Sequence, residues 1–306
     1  MRAIRIHEFK GLAGVTLDAV PPPKPAADQL LIRVVAASVN PADVKMAQGL
    51  FPRVKQGDLP ATLGCDFSGV VERCPQHPAL FRAGDSVFGM ARAGSGSFSD
   101  YLAVDAGAVA LTPDTIDLKE AAAMPLAALT AWQGLTLHGD LVAGQRVLIL
   151  GAGGGVGHFA VQFARHLGAE VYALGAARDV QFLRELGADH VLDRDSEFEA
   201  IESRMDLVLD LVGGSTQDRS WGLLKDTGII VSPVRQPNER HRTGGGRPGR
   251  RFVMQPRRAD LERIASLWEA GVVRPVITRQ LGLEDAHDAL TQLERGGMRG
   301  KSVLIC

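Results

Sequence analysis

The sequence predicts an α/β protein: a β-rich, barrel-like first part, then a part in which strands and helices alternate on a parallel sheet. Three observations carry this. The chain has 306 residues, more than one hydrophobic core usually organises, so two domains with a cleft between them are expected. Residues 1–110 hold short β-like runs, Leu30 to Ala36, Gly69 to Arg73 and Ser86 to Phe88, broken by Pro21-Pro22-Pro23, Pro41 and several glycines. From about Asp117 the texture changes to alternating apolar strands and amphipathic helices.

The elements follow in order. Leu118 to Leu137 is Ala-rich and reads as helix. Arg146 to Leu150 is a strand, Gly157 to Leu167 a helix, Glu170 to Leu174 a strand and Val180 to Leu186 a helix. Asp206 to Leu211 and Gly228 to Val231 are further strands. After a basic, glycine-rich loop come helices at Arg258 to Ala270 and Glu284 to Arg295 and a last strand, Lys301 to Ile305.

Composition narrows the function classes. Apolar residues make up 45% and charged residues 23% of a chain with net charge -1. That is an ordinary globular balance without global attraction to nucleic acid or anionic membranes. No signal-peptide or membrane-spanning run is present. Cys65, Cys74 and Cys306 are scattered, fitting neither a disulfide framework nor a paired metal site, so a reducing cytoplasm is expected. Cys306 is terminal, which does not fit prenylation.

The densest motif is the run Val147 to Gly157, an apolar strand passing into Gly151-Ala152-Gly153-Gly154-Gly155-Val156-Gly157 and then an apolar helix. Strand, glycine turn and helix N-terminus together present backbone N–H groups and a positive dipole end to a pyrophosphate. With Gly157 last, Ala152 stands where the common fingerprint has its first glycine. At the end of the next strand, where an acidic residue would select NAD, stand Gly175, Ala176, Ala177 and Arg178. Arg178 can fork onto a phosphate and Arg194 can add a second cation, so NADPH is favoured over NADH.

Several segments in order resemble the zinc-free, zeta-crystallin-like quinone oxidoreductases of the medium-chain dehydrogenase/reductase superfamily. They are Val39 to Asp43, Gly64 to Gly69, Ala122 to Trp132, Gly153 to Gly157, Leu186 to Asp189, Asp210 to Gly214 and Gly300-Lys301. The resemblance implies a GroES-like catalytic domain from 1–115 and 256–306, with a Rossmann NADPH-binding domain, 116–255, inserted into it. It also implies a homo-oligomer and a cofactor contact at Thr130; with the glycine turn and the strand ends, the expected cofactor residues are Thr130, Gly153, Gly154, Gly155, Val156, Gly157, Ala176, Arg178, Arg194, Val212 and Gly213.

Zinc-dependent relatives carry metal ligands at places that here hold Asn40, Cys65 and Leu126, and this set cannot make a three-ligand site. No metal is expected. Catalysis then rests on positioning a carbonyl substrate beside the nicotinamide. Asn40 is expected to donate to the substrate carbonyl, with Asp43, and less so Lys45, extending the polar network. Relatives often have Tyr where this chain has Phe51 and Ser where it has Ala176, so one possible proton donor and one possible phosphate hydroxyl are gone. His138, His158 and His190 read as packing or surface residues, and Cys65 as a buried, inert thiol.

The expected function is NADPH-dependent hydride transfer to a quinone without a metal; the alternative on the same scaffold is an enone or enal reductase. A third reading is an NADPH-binding sensor or RNA-binding protein, the latter through the loop holding Arg240, His241, Arg242, Gly244, Gly245, Gly246, Arg247, Arg250 and Arg251. The loop is short and almost without aromatic residues, and a loop near the cofactor is the better reading.

Overall fold

The chain opens as a strand. β1 (Arg2–Ile6) buries Ala3, Ile4 and Ile6 and pairs antiparallel with β2 (Val15–Ala19). This computed structural model describes residues 1–74, 80–196, 198, 201–202, 204–242 and 247–306. β3 (Gln29–Ser38) is the long central strand of the first part, followed by helix α1 (Pro41–Ala47), with Pro41 at the helix start where its missing N–H costs nothing. β4 (Ala61–Thr62), β5 (Asp66–Arg73), β6 (Ser86–Met90), β7 (Tyr101–Asp105) and β8 (Val109–Leu111) complete its antiparallel pairings. Leu30, Ile32, Val34, Phe67, Val87 and Leu102 form the core beneath them.

The Ala-rich stretch expected as one helix, Leu118 to Leu137, is broken into α2 (Leu118–Ala121), α3 (Pro125–Gln133) and a π-turn over Gly134–His138. Pro125 lacks the N–H that would continue α2 and disfavours helical geometry at Met124.

Six parallel strands are then described: β9 (Arg146–Leu150), β10 (Glu170–Gly175), β11 (His190–Asp193), β12 (Met205–Asp210), β13 (Leu224–Ser232) and β14 (Arg250–Arg251). Helices α4 (Gly157–His166), α5 (Val180–Leu186) and α6 (Gly214–Arg219) connect them. The spatial order β11-β10-β9-β12-β13-β14 is the doubly wound arrangement, in which the strand order reverses at β9.

The chain then returns. After α7 (Arg258–Glu269) come β15 (Ile277–Gly282), α8 (Ala286–Arg295) and β16 (Lys301–Ile305); β16 runs antiparallel to β3 and carries β15 on its other edge. Two compact units result. One is Met1–Leu126 with Pro256–Glu269 and Pro275–Cys306, the other Ala127–Gln255 with Ala270–Arg274. Among the described residues, no helix is long and apolar enough to cross a membrane.

Candidate functional site

In the doubly wound unit, β9 ends in the glycine turn. Gly151 adopts φ +79°, and a β-carbon there would stand 2.8 Å from Val212 Cγ2. At Gly157 a β-carbon would lie 2.3 Å from the Gly151 carbonyl oxygen and 2.5 Å from that of Ala152. Both places demand glycine. The left-handed residue is thus Gly151, one ahead of the fully buried Ala152. Buried His158 brings Nδ1 to 3.1 Å from the Gly154 carbonyl, a structural tie across the turn. Among the described residues, the N–H groups of Gly155, Val156 and Gly157 meet no acceptor. Gly154, Gly155 and Val156 are partly exposed. Unpaired amides at the head of an apolar helix make this turn a candidate anion cradle.

At the end of the neighbouring strand, Gly175 is buried and Ala176 half-buried; Arg178 follows in a short turn with 60% of its side chain exposed, 3.9 Å from Asp179. The Arg194 N–H donates to the Gly175 carbonyl at 2.8 Å, while its side chain is 59% exposed. The two arginines therefore flank the place where an acid would select NAD. Asp179, unnoticed in the sequence, is buried, with Oδ2 3.1 Å from where a Gly153 β-carbon would stand. Val212 and Gly213 form the turn after β12, Gly213 at φ +76°. Thr130 is buried within α3.

In the β-rich unit, the register builds a second constellation. Ser38 lies opposite Asp66 across β3 and β5, and opposite Val303 across β3 and β16. Lys301, two residues before Val303, is thereby brought to Asn40, two after Ser38. Asp66 is fully buried: Oδ2 accepts from Ser38 Oγ at 2.7 Å and Asn40 Nδ2 at 2.9 Å, and Oδ1 from the Leu126 N–H at 2.8 Å. Lys301 Nζ stands 3.7 Å from Asp66 and donates to the Val39 carbonyl at 3.1 Å and to Asn40 Oδ1. Asp43 Oδ2 accepts from the Asn40 N–H at 2.8 Å and Oδ1 from the Gly64 N–H at 3.2 Å.

Two carboxylates and one ammonium are thus enclosed together. Burial pushes the Asp43 carboxyl up to about 7, opposed by the Asn40 N–H and by Lys301. Burial, with Asp43 and Asp66 beside it, holds the Cys65 thiol well above its ordinary range. Burial also lowers Lys301, while Asp66 and Asp43 draw it back up.

In this geometry the Asn40 amide, expected to meet a substrate carbonyl, is engaged within the protein. One amide hydrogen goes to the Ser38 carbonyl at 3.1 Å and the other to Asp66, and the amide oxygen takes the Lys301 ammonium. The ammonium donor and carboxylate acceptor fix which way the amide faces. No N–H remains for a substrate carbonyl. Lys45 is exposed, and Cys65 is buried. Asp66 and Lys301 were missed as a pair; each is the charged first residue of its strand, and only its burial shows that it needs a partner.

His138 stacks on Phe252, and His190 stacks on Tyr172 and reaches Glu170, so both pack as expected. In the basic loop, Arg235 is paired with Asp218, Arg242 with Glu239 and Arg247 with Asp140; Gly244, Gly245 and Gly246 lie outside the described residues. Among the described residues, no three His, Cys, Asp or Glu side chains gather as a metal site would require.

Comparison with known proteins agrees with this architecture. Residues 26–114 match the alcohol dehydrogenase GroES-like domain family and residues 186–304 the zinc-binding dehydrogenase family. The 2-methylene-furan-3-one reductase of Solanum lycopersicum is 34% identical over 289 residues, spanning 90% of this chain and 71% of that protein. An NADPH-dependent alkenal/one oxidoreductase of Arabidopsis thaliana is 31% identical over 317 residues, 99% of this chain and 79% of its own. The solved quinone oxidoreductase from Coxiella burnetii superposes with a TM-score of 0.92 at 31% identity, covering 100% of this chain and 99% of that one. The chain belongs to the medium-chain dehydrogenase/reductase superfamily, in its zeta-crystallin-like quinone oxidoreductase family.

Proposed function

We propose that this protein binds NADPH and transfers hydride to a quinone without a metal. The observation that carries the reading is the anion cradle of Gly155, Val156 and Gly157 beside a strand end where Gly175 and Ala176 replace an acid and Arg178 and Arg194 flank them. The cradle suits a pyrophosphate and the arginines a 2′-phosphate. NADPH bound there supplies the hydride. Gly153 and Gly154 give the backbone its approach to the phosphates, while Val212 and Gly213 edge the other half of the cofactor site. Thr130 is included in that site on family resemblance.

The metal-free reading rests on donor chemistry. The Asn40 carboxamide is spent on Asp66 and Lys301, Cys65 is a lone buried thiol, and Leu126 offers only a backbone N–H already given to Asp66. A three-ligand zinc site needs three side chains of ligand type, and this set supplies one. Asn40 and Asp43 act in this reading as positioning residues that hold the loop after β3. The acceptor is an electrophilic ring whose product oxyanion takes its proton from solvent. A second reading, reduction of an enone or enal, is supported by the names of the tomato and Arabidopsis relatives.

NADPH consumption by chelator-treated protein, with a simple quinone and a simple enone in parallel and NADH for comparison, tests this. Quinone turnover faster with NADPH and indifferent to chelator supports the first reading, and turnover confined to the enone selects the second. A strict zinc requirement overturns both. A homo-oligomer in a reducing cytoplasm completes the proposal; the three free cysteines suit that compartment, and light scattering gives the mass.

A further inference from the structure

β12 ends in Asp210, whose carboxylate is fully buried and whose partners are all neutral. Oδ1 accepts from the N–H groups of Val212 at 3.0 Å and Gly213 at 2.8 Å. Oδ2 accepts from Gln217 Nε2 at 2.7 Å and Ser232 Oγ at 2.7 Å. Ser232 ends β13, and its Oγ in turn accepts from the N–H groups of Val234 at 3.1 Å and Arg235 at 3.4 Å. Arg235 closes the circuit, donating from Nε to Gln217 Oε1 at 2.7 Å and from its guanidinium to the Gly214 carbonyl at 2.9 Å. One carboxylate therefore ties the turns after two adjacent parallel strands to each other.

What the tie holds in place is specific. Val212 is 50% exposed, and its Cγ2 fills the space a Gly151 β-carbon would need. Gly213, at φ +76°, leaves 3.3 Å between its would-be β-carbon and Val234 Cγ1. An exposed valine is thus pressed over the first glycine turn, in the crevice at the carboxyl ends of the strands where doubly wound sheets bind dinucleotides. The β9 and β10 ends serve the adenosine half in such a sheet, and the β12 and β13 ends serve the other mononucleotide.

We propose that Asp210 is a positioning residue for the nicotinamide half of the cofactor, acting through the backbone of Val212 and Gly213 rather than by touching the cofactor. The inference rests on the NADPH reading above. It predicts that the two halves of the cofactor respond differently to loss of the carboxylate. In Asp210→Asn the shape is kept, but the new NH2 must face either the two backbone N–H groups or Gln217 Nε2 and Ser232 Oγ, so at least one hydrogen bond fails.

The test compares two probes by titration calorimetry: NADPH, and adenosine 2′,5′-bisphosphate, which carries the 2′-phosphate end without nicotinamide. Asp210→Asn is expected to weaken NADPH ~10–100-fold while leaving the bisphosphate within about twofold of wild type. Ser232→Ala, which keeps the carboxylate and removes one donor, should give the same selective pattern at a smaller size, roughly 4–10-fold for NADPH. Equal weakening of both probes would mean a general loss of the unit and overturns the proposal, as does an unchanged NADPH affinity. If Asp210→Asn does not accumulate as folded protein, the NADPH-to-bisphosphate ratio in Ser232→Ala decides by the same criterion. A wild-type protein that binds neither probe overturns the NADPH reading itself; one that binds both, with variants that bind like it, overturns only the role of Asp210.

Discussion

Asp66 and Asp210 are both fully buried carboxylates, each held by several donors, one in each unit. Asp66 shares its enclosure with a buried cation, Lys301, and a second carboxylate, Asp43. Asp210 is compensated by two backbone amides, a carboxamide and a hydroxyl. The difference teaches what a buried charge is for in each place. An ammonium between two acids locks distant segments together, and removing it strands charge in the interior. Neutral amides around a carboxylate instead define the path of a turn, so their loss is felt first by whatever the turn holds.

The largest effect should follow Lys301→Met, which leaves Asp66 and Asp43 without their cation and should cost ~3–5 kcal/mol in chemical denaturation. Adding Asp66→Asn to that variant should recover part of the loss; a single variant within about 1 kcal/mol of wild type would break the contrast.

Asp43 should then impose an inverted pH dependence. Its carboxyl rises from 3.8 to about 7 in the fold. The folded chain therefore keeps a proton that the unfolded chain releases earlier. Stability should fall as pH rises from about 4 to about 7 and level off above, by on the order of 4 kcal/mol at most. Denaturation midpoints across that window, compared with Asp43→Asn, measure it; parallel curves for the two proteins would remove Asp43 as the cause.

Asp210→Asn should cost less in stability, ~1–3 kcal/mol, because only part of a neutral hydrogen-bond set is lost. A stability loss as large as that of Lys301→Met would erase the distinction between the two carboxylates.

The smallest effect belongs to the surface cluster of Glu170 with Arg146, Tyr172 and His190. The Arg146 hydrogen bond, helped by His190 and Tyr172, holds Glu170 at about 2. Its contribution is present above the ordinary 4.5 and disappears as pH falls towards 2. Since the pair is more than a third exposed, Glu170→Gln should change stability at neutral pH by less than about 1 kcal/mol. A larger change would show that exposed and buried ion pairs in this protein are closer in worth than their solvation implies.

Much of the chain beyond Arg146 was legible from local pattern. Strands β9, β10 and β16 and helices α4, α5, α7 and α8 fall within a few residues of the expected ranges, because apolar periodicity and glycine or proline boundaries are local signals. The β1 and β2 hairpin and β15 were not recognised; their burial alternates only partly. The break at Pro125 was readable and was overridden by the alanine content around it. Val39 to Asp43 and Gly64 to Gly69 pointed to the polar cluster, but the expected use of the Asn40 amide depended on whether its hydrogens were free, and a sequence does not state that.

The order of strand, glycine turn and helix, the absence of an acid at Gly175, and family membership were all encoded along the chain, since each depends on neighbours a few residues apart. The partnership of Asn40 with Lys301, 261 positions later, and the binding of two strand-end turns by Asp210 were decided only when strands came into register. Burial turns such a coincidence of register into a requirement, because a charge withdrawn from water must find its partners wherever the fold has put them.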